Sequence, residues 1–434
     1  MPLVDTAAQA SSTTVRGTKM KTLLSAKTLI AAIAAFLSVL TVQAGNAWLY
    51  DNSAKTLTEQ VTDGSMPWVI GGISIMSGTA LAANAASGTY ATLTTTGDST
   101  ELDFTTITNA SGTAFTLARL GAHILRLRQT ITKIIAPELT EVSNYGCHTC
   151  TALVDIVAPG LVKVGGFTFN GCSSLSFPSR WDAERQCTDL DNITIIGKEA
   201  FRGAALADKV SFKGYTMESS VNGVFQGCAA ITEIELKPEG EHNFGAYTFS
   251  GCLSLTNVYP LTHVLSLNGN MFNGCSALAK LELGRDGGTG LSIPDSLCDG
   301  RPGLKELTLG GNITDIGAKA FRDCSNLDFL KWGDTKPTSF GTDCFKTVGT
   351  STILRQYFPA QNTMWVAEIE ADSNYTRWKD LDDTTKAMYT DAYPDGERPD
   401  GYCSDSASND SYLRKGFVFF YGRPQTFGTT LFVE

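Results

Sequence analysis

The sequence predicts a solenoid, a stack of short coils in which each coil buries one face against the next. Three observations carry that expectation. First, the motif Phe321-x-x-Cys324-x-x-Leu327 returns as Phe272-x-x-Cys275-x-x-Leu278, Phe249-x-x-Cys252-x-x-Leu255, Phe225-x-x-Cys228-x-x-Ile231 and Phe169-x-x-Cys172-x-x-Leu175. Leu125, Cys147, Phe201 and Cys298 open weaker copies in the same register, and Phe345 is a further mark. Second, the marks fall at 125, 147, 169, 201, 225, 249, 272, 298, 321 and 345, so most steps are 22 to 24 residues. Third, each mark is followed by short apolar alternation. A unit this short cannot bury its own apolar face, but stacked units can.

Within one repeat, an apolar residue followed by Gly precedes the mark, as in Val164-Gly165, Ile196-Gly197, Ile316-Gly317 and Phe340-Gly341. Gly there is expected to let the chain turn. After the mark comes Leu-x-x-Ile-x-Ile or its equivalent, such as Ile231-x-x-Ile234-x-Leu236 and Leu304-x-x-Leu307-x-Leu309. Alternation of this kind predicts a strand with one buried face. Pro159, Pro238, Pro260 or Gly333 then ends it. The Phe-x-x-Cys spacing predicts one helical turn, too short to stand as a free helix.

This pattern resembles the BspA-like leucine-rich-repeat family. The family signature Val-x-x-Ile-Gly-x-x-Ala-Phe-x-x-Cys-x-x-Leu is matched by Ile313-x-x-Ile316-Gly317-x-x-Ala320-Phe321-x-x-Cys324-x-x-Leu327, and the likeness covers roughly residues 100–350. The resemblance implies a leucine-rich-repeat solenoid, strand-rich with short helical turns, of about ten coils. It also implies a secreted or surface-bound protein serving adhesion and protein binding. It speaks to fold far more than to activity, because function sits in sites grafted on folds.

At the N-terminus, residues 1–19 are polar, and Met20-Lys21 and Lys27 then precede an apolar run from Thr28 to Val42. A basic segment, an apolar segment and small residues at the -3 and -1 positions, Val42 and Ala44, read as a secretory signal cut after Ala44, which would make Met20 the true start. The rival, an uncleaved anchor, would need a longer apolar run. Residues 1–44 are therefore expected to be extension and signal peptide. Residues 45–98 are expected to form a β-rich N-terminal cap, from strands at Trp48–Tyr50, Thr56–Val61 and Trp68–Ile75, since an open solenoid end must be covered. The solenoid then spans 99–358, its first strand within Leu102–Ile107. Residues 359–434 form a C-terminal capping region whose closing Phe417–Tyr421 and Phe427–Val433 read as a hairpin. Asp380, Asp382 and Asp383 lack the spacing and Gly of a calcium loop and read as a solvated acidic turn.

The single long step, 32 residues, places an insertion within Phe177–Asp191. Insertions in solenoids project as loops, often from a binding face. Trp181 beside Arg180 and Arg185 suits protein or sugar contact there; the alternative is a Trp folded back on its coil. The Gly-rich Gly284–Gly290 has no strand–helix frame and is not read as a phosphate loop.

Of the eleven cysteines, Cys150, Cys172, Cys228, Cys252, Cys275 and Cys324 share one slot, Cys147 and Cys298 replace the Phe, and Cys344 replaces an Ala. These nine are expected to be packing thiols, Cys147-His148-Thr149-Cys150 included, rather than redox or zinc chemistry. Cys187 and Cys403 lie off the lattice in loop-like sequence and are candidates for a disulfide or free thiols. No metalloprotease, nucleophile-elbow or phosphate-loop motif is present, and no cofactor or metal is expected. A formal net charge of -10 disfavours nucleic acid.

The expected function is a secreted or cell-surface, non-enzymatic binding protein whose partner is a macromolecule, most simply an extracellular-matrix or cell-surface protein. Membrane contact is expected only through the signal segment. The candidate surface is the outward strand positions Asp155, Val157, Glu233, Glu235, Asn257, Tyr259, Lys280, Glu282, Glu306, Thr308, Phe329 and Lys331, whose acidic character suits a partner with basic patches. Two other readings stand beside it. A carbohydrate-binding or carbohydrate-active surface protein would need aromatic platforms with carboxylates in one concavity. A structural envelope protein would use the solenoid as a spacer.

Overall fold

The computed structural model describes residues 46–83, 93–212, 222–236, 242–259, 261, 264–348, 354–358, 371, 375–388, 400–403 and 417–421. The expected signal peptide, Phe427–Val433 and most of the stretch from Tyr393 to Asp410 lie outside these residues. Among the described residues no helix is long and apolar enough to cross a membrane.

The alternating segments form strands that stack in parallel, each coil adding one rung to each of two ladders. In the first ladder, Glu101–Asp103, Lys133–Ile135 and Asp155–Val157 pair in register. It resumes with Cys187–Asp189, Ala207–Phe212, Ala230–Leu236 and Asn257–Tyr259. It continues with Lys280–Leu283, Glu306–Leu309, Phe329–Trp332 and Arg355–Phe358. The second ladder takes the apolar residue ahead of the turn, which is followed by Gly in most coils, by Ser143 after Val142 and by Pro294 after Ile293: Ala114–Leu120, Glu141–Val142, Lys163–Val164 and Ile195–Ile196, then Leu291–Ile293, Ile313–Ile316 and Ser339–Phe340. The side chains that alternate inward, such as Ile134, Ile156, Ile234, Leu281, Leu307 and Leu330, are buried in one continuous apolar cluster.

The third side of each coil carries the Phe slot, and it is not the helical turn that the spacing predicts. The residues two before and two after the slot are left-handed in all ten coils. Before it, φ runs from 52° at Glu199 to 65° at Gly223; after it, from 56° at Thr347 to 80° at Gly274. The alternation sends every second N–H to the next coil. In the coil of Phe321, the N–H groups of Lys319, Phe321 and Asp323 donate to the carbonyls of Thr342, Cys344 and Lys346 at 3.0, 2.8 and 2.8 Å. Ala320, Arg322 and Cys324 donate instead within the coil, to Gly317, Lys319 and Phe321. A helix would keep all these bonds local; this backbone spends half of them on stacking. Gly after the slot, at 171, 203, 227, 251, 274 and 300, takes the left-handed shape at no steric cost. That regular Gly is a signal in the sequence that the helical reading passes over.

The other recurrent Gly, before the slot, has a different reason from the expected one. Gly165 and Gly317 do not sit at positive φ. A Cβ on Gly165 would lie 2.5 Å from the Asn144 backbone nitrogen, and one on Gly317 would lie 2.5 Å from that of Asp295, each in the preceding coil. The requirement is close backbone approach between coils. Gly317→Ala is therefore expected to cost about 1–3 kcal/mol through forced separation of two coils; chemical denaturation checks it, and an unchanged midpoint would show the backbone has room to move.

The Phe rings stack through the core. Centroids lie 5.6 Å apart from Phe169 to Phe201, 5.7 Å to Phe225, 6.0 Å to Phe249 and 5.8 Å to Phe272. The Cys slot lies beside this column and is satisfied in a uniform way. The thiols of Cys150, Cys172, Cys228, Cys252, Cys275 and Cys324 each donate to the carbonyl of the Phe-slot residue one coil earlier, at 2.9–3.3 Å. Where Arg301 takes the Cys slot, its Nε donates to the same acceptor, Phe272, at 3.1 Å. Cys147, Cys150, Cys172, Cys187, Cys228, Cys252, Cys275, Cys298 and Cys324 are free and buried, and Cys344 is buried as well. Cys187 is not in a loop: it sits on a first-ladder strand, 0% exposed, opposite Asp182 of the inserted segment. The Cys403 side chain lies outside the description.

Outside the repeats, Trp48–Asp51 pairs antiparallel with Thr56–Glu59 and parallel with Ile107–Asn109, and Ala80–Ala83 adds a rung beside Ala114–Leu120. Side chains close the turns: Asp51 Oδ1 accepts from the N–H of Ser53 and Ala54, and Asp63 Oδ1 from that of Ser65. At the far end, Phe417–Tyr421 pairs parallel with Arg355–Phe358 and antiparallel with Gly401–Cys403. The acidic run opens the short helix Asp383–Met388, where Asp383 meets Lys386 at 3.8 Å.

Candidate functional site

The outward positions of the first ladder fall in two columns, because parallel rungs in register place like positions side by side. One column runs Lys209, Glu233, Asn257; the other runs Ser211, Glu235, Tyr259. In the next sheet the corresponding columns are Lys280, Glu306, Phe329, Arg355 and Glu282, Thr308, Lys331, Tyr357. Glu306 and Lys331 are exposed, and Glu233, Glu235, Asn257, Tyr259, Lys280, Glu282 and Thr308 are half-buried.

Two expected surface residues are not on the surface. Phe329 is 8% exposed because its ring packs against Tyr357 of the next rung, 4.9 Å between centroids. Asp155 is 6% exposed because the inserted segment covers it: Ser179 Oγ donates to its carboxylate at 2.7 Å and the Ser179 N–H at 3.2 Å. Burial pushes the Asp155 carboxyl up, against the downward pull of those hydrogen bonds.

Nor is the face the open acidic surface that the residue types imply. Lys209 Nζ pairs with Glu235 at 2.7 Å and lies 5.6 Å from the centre of the Tyr259 ring, whose hydroxyl donates to Glu233 at 3.3 Å. Lys280 reaches Glu282 at 2.9 Å and Glu306 at 3.8 Å, and Arg355 reaches Asp328 at 3.5 Å. Burial alone would lower the Lys209 ammonium, but its bonds to Glu235 and Tyr259 hold it above its ordinary value. The chemistry offered is a stiff, largely charge-paired plane with Tyr259 as an amphipathic anchor.

The insertion builds a second feature. Trp181–Asp182 and Cys187–Asp189 form an antiparallel hairpin, Trp181 opposite Thr188. Its outer strand ends the sheet that runs on to Asn257–Tyr259, so the first ladder splits between Asp155–Val157 and Cys187–Asp189. Arg185 ties the hairpin together. It reaches Asp182 and Asp189 at 2.7 Å each, Asp191 at 3.0 Å, and Ser211 Oγ at 3.1 Å. The Arg185 side chain holds the Asp182 carboxyl down at about 2. The Arg180 Nη2 donates to the Ala158 carbonyl at 2.6 Å, pinning the segment's start to the previous rung.

The split leaves a cleft of about 330 Å³, bounded by Val157, Ala158 and Pro159 on one side and by Ser179 to Asp182, Asp189 and Asn192 on the other. Trp181 is 39% exposed at its edge. Among the three residues singled out in the insertion, Trp181 and Arg180 line this cleft, and Arg185 acts as its brace. Asp182, Asp189 and Asn192 were not singled out from the sequence; Asp182 follows Trp181 in the chain, the hairpin pairing brings up Asp189, and Asn192 comes from the turn after the inner strand. Among the described residues no group of three His, Cys, Asp or Glu side chains is placed to hold a metal ion.

The model of the BspA type leucine rich repeat region matches residues 185–287 and 291–361, in six copies. No protein with a curated description matches. Several solved structures are similar. A leucine rich cell surface protein from Faecalibacterium prausnitzii is 15% identical, with 63% of this chain and 94% of that chain covered at a TM-score of 0.24. A leucine-rich repeat protein from Bacteroides ovatus is 15% identical, covering 72% and 94% at 0.28. The pneumococcal vaccine antigen PcpA is 13% identical, covering 75% and 96% at 0.28.

Proposed function

We propose that this chain, whose repeat region is a BspA-type leucine-rich repeat, is an exported, non-enzymatic binding protein that holds a protein partner on the outer face of its first ladder. One observation carries the reading: rungs in register set Glu233, Glu235, Asn257 and Tyr259 into adjoining columns of one sheet, and Lys280, Glu282, Glu306, Thr308 and Lys331 into adjoining columns of the next. Solenoids present extended surfaces of this kind, and a stiff face loses little conformational freedom on binding. Tyr259 supplies the sort of amphipathic ring that anchors protein interfaces. Export is supported by the basic and apolar segments ahead of Ala44. Buried thiols in place of disulfides are compatible with it, because packing holds the coils.

The test is capture of extracellular-matrix and cell-surface proteins by residues 45–434, beside Tyr259→Ala and Glu306→Lys variants of unchanged melting temperature. Tyr259→Ala is expected to weaken capture about tenfold or more. Glu306→Lys should act chiefly on the association rate and its salt dependence. Capture that neither variant alters would move the binding surface elsewhere, and an absence of any captured protein would remove the reading.

A further inference from the structure

We propose that the cleft at the split in the first ladder is a carbohydrate-binding subsite, taking one neutral hexose or N-acetylhexosamine ring of a glycan with its apolar face on Trp181. The site is separate from the ladder face around Tyr259 and Glu306, so either can fail without the other.

The cleft exists because the hairpin wedges two rungs apart, and its volume of about 330 Å³ sits at the small end of the range of ligand pockets. Trp181 is placed at the edge with its ring unstacked: no ring contact and no indole hydrogen bond involves it among the described residues, and it is 39% exposed. A Trp folded back on its coil for packing would be buried, as Trp48, Trp68 and Trp332 are. The brace on Arg185 fixes the hairpin that carries it, so the platform is formed before any ligand arrives.

The polar lining decides the class. Asp182 and Asp189 offer acceptors only, and each keeps lone pairs beyond those given to Arg185 and the turn. Arg180 offers donors, and no carboxylate lies within ion-pair distance of it among the described residues. Asn192 is exposed, makes no side-chain hydrogen bond among the described residues, and offers both. A cationic ligand would use the acceptors but meet Arg180; an anionic ligand would use Arg180 but meet two carboxylates. Sugar hydroxyls both donate and accept, and a pyranose has a C–H face for the indole. A neutral ring satisfies all of the lining.

The test titrates the full chain with lactose, cellobiose and chitobiose, with arginine ethyl ester and glucuronate as cationic and anionic comparisons. Tryptophan fluorescence and saturation-transfer NMR follow binding in the parent, Trp181→Ala, Trp181→Phe and Asp189→Asn chains. At least one neutral disaccharide is expected to bind, to bind about tenfold or more weakly to Trp181→Ala, and to recover most of its affinity in Trp181→Phe. A thermal melt identifies any variant that has lost its fold, and Trp181→Phe, which keeps the ring, holds the question open to decision in that case. Binding of the ester or the glucuronate alone, neutral binding that survives Trp181→Ala, or no binding by any of the three sugars would each overturn the assignment.

Discussion

Above pH 9 the folded protein is expected to lose stability steeply, and the buried thiols are the reason. Burial pushes Cys228, Cys275 and Cys324 up to about 12 from an ordinary value of 9.0, and it raises Cys172, Cys252 and Cys298 as well. A folded value above the unfolded one contributes stability that is fully present below the unfolded value. That contribution is lost as pH climbs toward the folded value, because the unfolded chain ionises first. Each such thiol then removes roughly 1 kcal/mol of stability per pH unit between about 9 and 12, so three of them remove several. Denaturant melts at pH 8, 9, 10 and 11 measure the slope. Tyr and Lys side chains titrate in the same range, so the decisive comparison is Cys275→Ala. That variant lacks the bond to Phe249, at 3.0 Å in the parent, and starts from lower stability, but its alkaline slope should be shallower by one proton. Equal slopes would mean the thiol is accessible to water. The same burial predicts that alkylation under native conditions misses these residues and that denaturant without reductant exposes them. A Cys228–Cys252 bridge found by mass spectrometry would contradict it.

The lattice was legible because its physics is periodic. A residue that must be large and apolar, a small one that must fit beside it, and a strand two or three residues on recur at one spacing, and each recurrence supports the others. The slots of Phe169, Phe225 and Cys252 could therefore be read directly, and the family resemblance rested on the same residues. The turn was misread because a spacing of three residues is shared by a helical turn and by alternating left-handed backbone. The Gly after Phe225 at position 227, and its counterparts, distinguish the two. What the sequence hides is contact between residues from different coils. Gly317 looks like a turn residue until Asp295 is seen against it. Asp155 looks like surface until Ser179 is seen over it. The face looks acidic until Lys209, Lys280 and Arg355 are placed beside their carboxylates. The cleft follows the same rule: Trp181 was visible as an oddity, but Asp189 joins it only through the hairpin, and Asn192 only through the turn that follows.

Phe225→Ala is expected to be more damaging than Phe321→Ala. Phe225 is 0% exposed and stacks on both sides, with Phe201 at 5.7 Å and Phe249 at 6.0 Å, while Phe212 meets it at 5.5 Å. Removing the ring opens a cavity bounded by three other rings, none of which can move without unseating its own coil. Such a site collapses poorly, which places the loss at the upper end of the roughly 3–5 kcal/mol usual for Phe→Ala in a core. Phe321 stacks on Phe345 at 5.2 Å on one side, but Cys298 holds the slot on the other. Fewer aromatic contacts are lost there, so its cost should lie nearer the lower end. Because coils contact only their neighbours, the damage should also be directional. Hydrogen exchange in Phe225→Ala should quicken first at the inter-coil amides around the hole, those of Phe201, Phe225 and Phe249, before those of Leu125 or Phe321. Global melting with uniform exchange would mean the array unfolds as one unit. Equal losses for the two variants would mean that burial alone, and not the stacked column, sets the energy of the slot.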